Sequence, residues 1–237
     1  MALPAPAISL RLFFLLAMAA SATQAAATEA APPCSTTEST SSSATTAFLR
    51  ARCATTLYPD VCYDSLLPYA STFQISHVKL AVAAADVAAA HLRAFKTRIK
   101  DLLLHRGGVS SEEAAATGAG ARVEAALHDC ASTISAAANL AKRSSAELTR
   151  LDAATASTES STSTAAAGWS RQARWQVSNA KTWLSAAMTN EGTCSDGFEH
   201  AGAAATASPA GKEVAASVAS VTQHTSNALA LVNGIPL

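Results

Sequence analysis

Six histidines are the first residues to weigh for chemistry: His77, His91, His105, His128, His200 and His224. The first three recur every 14 residues. On one helix they fall on nearly one face but about 21 Å apart at 1.5 Å per residue, too far to share a metal. No H-E-x-x-H, G-x-S-x-G or phosphate-cradling glycine loop is present. A helical bundle hosts carboxylate chemistry only with Glu or Asp turned inward on several helices. Glu112-Glu113 sits in a connector, and Asp86, the one carboxylate near the middle of the first long helix, has no E-x-x-H beside it. Nothing converges into an acid–base or metal constellation, so the expectation is a protein that is not an enzyme and needs no cofactor or metal.

The five cysteines are Cys34, Cys53, Cys62, Cys130 and Cys194. Their reading depends on compartment. Arg11 followed by the apolar run Leu12–Ala20 and by small residues at Ala22 and Ala25–Ala27 reads as a secretory signal peptide over 1–27. Nine apolar residues are too few to cross a bilayer, which takes about 20 in a helix. In an oxidising compartment an even set of cysteines pairs and one is left over. Cys53 and Cys62 enclose eight residues, which suits a local bridge. Cys130 with Cys194 would then close a long loop, and Cys34 lies in a Ser/Thr-rich stretch; spacing alone leaves the pairing open.

With 17 Lys+Arg against 17 Asp+Glu, the chain has no basic excess for binding nucleic acid through bulk charge. Aromatics at 5% and abundant alanine argue against a large β-protein and for helices. Residues 28–46 carry Pro, Ser and Thr without a large apolar side chain and are expected to form a flexible leader. Residues 47–70 read as two short helices around a tight corner, with Pro59 in the opening turn of the second and Thr56 as its cap. Apolar residues at helical spacing then mark long helices at about 74–106, with Ile75, Val78, Val82, Leu92, Phe95 and Ile99 inward, and at about 121–156. A third covers about 168–190 and is stopped by Glu191-Gly192; a fourth runs from Pro209 to about Val232. Gly107-Gly108, Gly118, Gly120 and residues 157–167 are read as connectors. The architecture expected is all-α: an up-and-down four-helix bundle with an N-terminal helical hairpin. Lys96, Arg98, Lys100 and Arg106 read first as a solvated face that complements the helix dipole, and secondarily as a basic patch for an acidic polymer.

Two segments are more specific. One is CATTLYPDVC over Cys53–Cys62, followed by YDSLL; the other is WLSAAMTNEGTCSDGF over Trp183–Phe198. With ALHDC ending at Cys130 and TSNALALV over Thr225–Val232, they resemble the plant invertase and pectin methylesterase inhibitor family. The likeness spans about 47–234. It implies disulfides Cys53–Cys62 and Cys130–Cys194, a secreted apoplastic or cell-wall protein, and a one-to-one complex with a carbohydrate-active enzyme, with neither nucleic acid nor membrane as partner. The TSNALALV end looks more like the pectin methylesterase inhibitors, and the Pro-Lys-Phe tripeptide of some invertase inhibitors is lacking, so pectin methylesterase is the first expected target and acid invertase the second. A small-ligand carrier is the reading from another class; it would need a cavity lined by large apolar residues, where alanine favours close packing.

The resemblance also implies where the target is met: Thr193, just before the fourth bridging cysteine, and Asp196, two residues after it. Some relatives carry acids two, six and nine positions after the third bridging cysteine; here those positions are Ser132, Ala136 and Asn139. Ser132 and Asn139 are still taken as contact positions. The loss of charge there implies weak salt dependence of docking. Gln172, Gln176 and Asn179 are further polar positions for the same face, with ordinary solvent exposure as the plainer reading.

Overall fold

The computed structural model describes residues 36–106, 118–159 and 171–236. The expected signal peptide, Cys34, Gly107-Gly108, Glu112-Glu113, most of the 157–167 connector and Trp169 lie outside the described residues.

The first helix, α1, covers Thr36–Cys53. The flexible leader expected up to residue 46 therefore gives way to helix from Thr36. Serine and threonine are indifferent helix formers, but their hydroxyls can bond to the preceding turn. Thr46 Oγ1 donates to the Ser42 carbonyl at 2.8 Å, and Thr45 is buried. A tight corner leads to α2, Pro59–Leu66, with Pro59 at the start as expected. Thr56 does not cap α2. Its hydroxyl donates instead to the Cys53 carbonyl at 2.9 Å and closes the end of α1. Cys53 and Cys62 are bonded across this corner with Cα atoms 5.5 Å apart. A 3₁₀ turn, Leu67–Tyr69, and the single-turn α3, Ala70–Phe73, follow.

The next helix, α4, runs His77–Arg106. Its start is set by Gln74, whose φ of +50° turns the chain, and by Ser76, whose Oγ accepts from the Lys79 N–H. Ile75 thus lies outside the helix and is 66% exposed, against the expectation that it faces inward. From Val78 onward the spacing holds: Val78, Ala81, Ala85, Ala88, Leu92, Phe95 and Ile99 are all buried.

Helix α5 is Ala119–Glu159 and α6 is Arg171–His200. Gly118 adopts φ +62° just before α5, while Gly120 is helical. The stop expected at Glu191-Gly192 does not occur; α6 continues through both to His200. Glu191 is fully buried and points into the bundle, so the turn that carries it is held by tertiary contacts despite the glycine. Gly202, at φ +98°, ends this stretch and leads into a short α7, Ala203–Ala207. The last helix, α8, is Pro209–Asn233, where Ser208 Oγ accepts from the Gly211 N–H at 3.0 Å and Pro209 opens the first turn.

Helices α4, α5, α6 and α8 form the bundle. α5 packs against both α4 and α6, and α8 closes the ring against α6 and α4. Alanine dominates many contact positions, among them Ala81, Ala85, Ala137, Ala141, Ala180 and Ala187, all fully buried. Small side chains let helix axes approach, and at Cys130–Cys194 the two Cα atoms are 4.2 Å apart. The α1–α2 hairpin leans on one end: Phe48 meets the His77 ring edge-on at 5.1 Å, and Arg52 Nη2 donates to the Gly234 carbonyl at 3.0 Å.

Candidate functional site

The segments that looked distinctive in the sequence turn out to hold one another. Asn227 of α8 is buried against the α1–α2 corner. Its Nδ2 donates to the Tyr58 carbonyl at 2.9 Å, and its Oδ1 accepts from the Tyr58 N–H at 3.3 Å. The CATTLYPDVC and TSNALALV segments are thus joined by a two-point amide clamp. Thr225 and Thr222, two and five residues earlier, donate to the two carboxylate oxygens of Glu191 at 2.6 and 2.9 Å. That joins the terminal segment to the TNEGTC stretch of α6. Burial pushes the Glu191 carboxyl up from its ordinary range, and the two hydroxyl donors work against that rise.

The residues expected to meet a partner lie on the outside of this frame. Thr193 and Asp196 are both exposed on the last turns of α6. They belong to a helix and not to a loop, because α6 does not stop at residue 190. Thr193 Oγ1 donates to the Thr189 carbonyl at 2.9 Å, so its hydroxyl hydrogen is already used within the helix and it serves no loop. Thr182 and Thr189 do the same to Ser178 and Ser185. Trp175, Ser178, Thr182, Ser185, Thr189, Thr193 and Asp196 recur at three- and four-residue steps and are all exposed. Ser132 and Asn139 are exposed on α5, with Ala136 partly covered between them. The Cys130–Cys194 bond sets Ser132 and Thr193 at the same level of the α5–α6 pair. Further along, the Arg143 guanidinium lies 4.5 Å above the Trp183 ring, covering the seam between the two helices. Of the other polar positions, Gln172 is exposed and Asn179 partly so, whereas Gln176 is buried against the core.

The arrangement offers a helical surface made mostly of threonine and serine side chains. Among the described residues no three His, Cys, Asp or Glu side chains gather where a metal could sit. A surface groove of about 560 Å³ runs between α4, α5 and the 3₁₀ turn and is lined in part by Lys79, Asp86, Arg93 and Asp152. Val82, Val87 and Tyr69 add to its wall, so the groove mixes charged and apolar side chains. Among the described residues no helix is long and apolar enough to cross a membrane.

Two pairs of groups escaped the sequence reading. Glu191 reads locally as part of a stop signal, although its partners lie 31 and 34 residues later. His91 and His224 stack across the α4–α8 seam with centroids 3.7 Å apart and 16° between planes. Burial, and then the His91 charge, hold His224 down from its usual 6.5 to about 4; burial lowers His91 as well. The Nδ1 atom of His224 is buried with no hydrogen-bond partner, so a proton there would have nothing to donate to. In the sequence these are two of six scattered histidines, and local spacing cannot pair positions 133 residues apart.

A family model described as plant invertase/pectin methylesterase inhibitor matches residues 47–231. The chain belongs to that family. Among curated proteins it is 33% identical over 186 residues to a "21 kDa protein" of Daucus carota, covering 78% of this chain and 82% of that one. It is 31% identical over 195 residues to Pectinesterase inhibitor 11 of Arabidopsis thaliana, covering 78% and 79%. Pectinesterase inhibitor 10 of the same plant is 30% identical over 189 residues, covering 78% of this chain and 50% of that one. No solved structure matches the chain significantly.

Proposed function

We propose that this chain is a secreted protein inhibitor of pectin methylesterase that acts in the plant cell wall. The exposed surface of α5 and α6, with Thr193, Asp196, Ser132 and Asn139, docks over the enzyme's substrate cleft in a one-to-one complex and excludes the polymer. The observation that carries the reading is the match to the inhibitor family across 47–231, with relatives at 30 and 31% identity named as pectinesterase inhibitors. The surface chemistry supports it. A helix face of threonines and serines bears few charges that must be desolvated, and the bundle behind it is cross-linked and rigid. The amino-terminal Arg11 and apolar run support export, and both disulfides suit an oxidising compartment.

The deciding experiment mixes the oxidised protein with a pectin methylesterase and, separately, with an acid invertase, and measures both activities. Loss of pectin methylesterase activity alone is the expected result. The family description covers invertase too; loss of invertase activity alone would replace the proposed target. Thr193→Trp tests the docking surface. Thr193 is exposed and bonds only to its own helix, so the larger ring should abolish inhibition and leave the melting temperature unchanged. A variant as potent as the parent removes Thr193 from the interface.

A further inference from the structure

We propose that the α4–α5 seam is a second binding surface, specific for a polyuronate such as the de-esterified product of pectin methylesterase. Its residues are Arg93, Lys96 and Lys100 on α4 and Lys142 on α5. The first three stand at i, i+3 and i+7 and so share one helix face. Lys96 Nζ donates to Ser135 Oγ at 2.7 Å, which aligns the two antiparallel helices at that level. Lys142, two turns beyond Ser135, then lies level with Ala89, about one turn past Arg93. The four cations form a line about 16 Å long at 1.5 Å per residue.

Acidic residues stand at the ends of this line and not within it: Asp86 and Asp152 share a groove with Arg93, and Asp101 follows Lys100. Helix α4 has no acidic residue from Val87 to Lys100, and α5 has none from Cys130 to Ala146. Among the described residues the ion pairs are Arg98–Glu213 and Arg150–Glu147, so none of the four cations takes part in one. Arg93, Lys100 and Lys142 are exposed, and the Lys96 ammonium has further donors beyond the one given to Ser135. Polar side chains free of charge, Ser132, Ser135 and Asn139, fill the gaps and can bond sugar hydroxyls. A chain of zero formal charge has thus segregated cations onto one seam. Several unpaired cations in a row match a repeating carboxylate polymer better than a single anion.

The choice of polymer rests on the proposed function. Hydrolysis of a pectin methyl ester leaves a carboxylate, so the enzyme's product carries the charge that this seam complements and its substrate does not. Ser132 and Asn139 adjoin both surfaces, which puts the polymer beside the docked enzyme. The inhibitor would be retained where de-esterification has already advanced.

Binding of the purified, oxidised protein to polygalacturonate and to highly methyl-esterified pectin is measured at low and high salt, without any enzyme. Polygalacturonate should bind and methyl-esterified pectin should not, with release by about 0.5 M salt as screening shortens the Debye length below 5 Å. The triple variant R93Q/K100Q/K142Q keeps the Lys96–Ser135 bond and should bind about tenfold more weakly, three exposed charge contacts being lost. The control R171Q/R174Q/K212Q removes equal charge at other exposed sites and should bind within threefold of the parent. Absent binding, equal binding of both polymers, or equal weakening by the control overturns the proposal. So does a seam variant that loses pectin methylesterase inhibition yet keeps polygalacturonate, since the seam would then dock protein. Failure of the parent to inhibit the enzyme would overturn the proposed function without touching the polymer measurement.

Discussion

Acidification should loosen the bundle through His224. In the folded protein this imidazole resists a proton until about pH 4, while in the unfolded chain it accepts one near 6.5. Between those values the unfolded state binds more protons, so stability is fully present above 6.5 and drains away as pH falls toward 4. Two pH units of that window lie above pH 4.5, about 2.7 kcal/mol at 1.36 kcal/mol per unit. The ring is only half-buried, and screening by water reduces the figure to about 1–2 kcal/mol. For a domain of this size that is a melting shift of about 2–8 °C. His91 faces the ring from α4, the Arg98–Glu213 pair lines a surface groove together with His91, and Glu191 meets α8 at Thr222 and Thr225. Those groups are common to parent and variant, so their titrations largely cancel in a comparison. Thermal melts of the parent and His224→Phe at pH 7.5 and 4.5 isolate the effect. Phenylalanine keeps a flat ring against His91 and cannot be protonated. The parent should lose about 1–2 kcal/mol more than the variant on acidification. Parallel losses in the two proteins would refute the assignment.

Glu191→Gln should behave in the opposite sense. The carboxyl is raised, so its contribution is present below about 4.5 and lost as pH rises through the folded value. The parent should therefore decline relative to the Gln variant between pH 4 and 7 in chemical denaturation, and a gap independent of pH would contradict this. Cys130→Ser with Cys194→Ser opens a loop of 64 residues. The expected loss is about 4 kcal/mol by the chain-entropy account, and an unchanged melting curve would contradict it. Gly211→Ala puts a methyl group against the backbone carbonyls of Ala205 and Thr206 at the α7–α8 corner. It should cost about 1–3 kcal/mol by overpacking, read as a lower denaturant midpoint at constant slope, and a neutral result would mean the corner yields freely.

The long helices were legible because their buried residues recur along one face: Val78 to Ile99 in α4, and Val214, Val218, Val221 and Val232 in α8. The two misplaced ends have distinct causes. Ile75 satisfies the period but precedes the Ser76 cap, and hydrophobicity alone does not register a cap. Glu191-Gly192 looks like a terminator locally, yet Thr222 and Thr225 hold the carboxylate inside from another helix. The Ser/Thr-rich leader does not announce the start of α1, since serine and threonine have low helix propensity and Thr45 is buried without being apolar. The bridges Cys53–Cys62 and Cys130–Cys194 stand as the family likeness implied. The conspicuous motifs proved to be mainly internal ties, as Tyr58–Asn227 and Glu191–Thr225 demonstrate. The outward residues among them, Thr193 and Asp196, could be picked out only by analogy, because nothing in local spacing separates a partner-facing threonine from any other exposed one.

The bond between Cys130 and Cys194 pins α5 to α6 at one height, as a dowel pins two planks. Alanine-lined helices have shallow ridges and offer little resistance to longitudinal slip, so one covalent peg near the end does what bulky interlocking side chains do elsewhere. Any partner that straddles both helices meets a surface whose two halves cannot drift past each other. Reduction would restore that freedom without unwinding either rod.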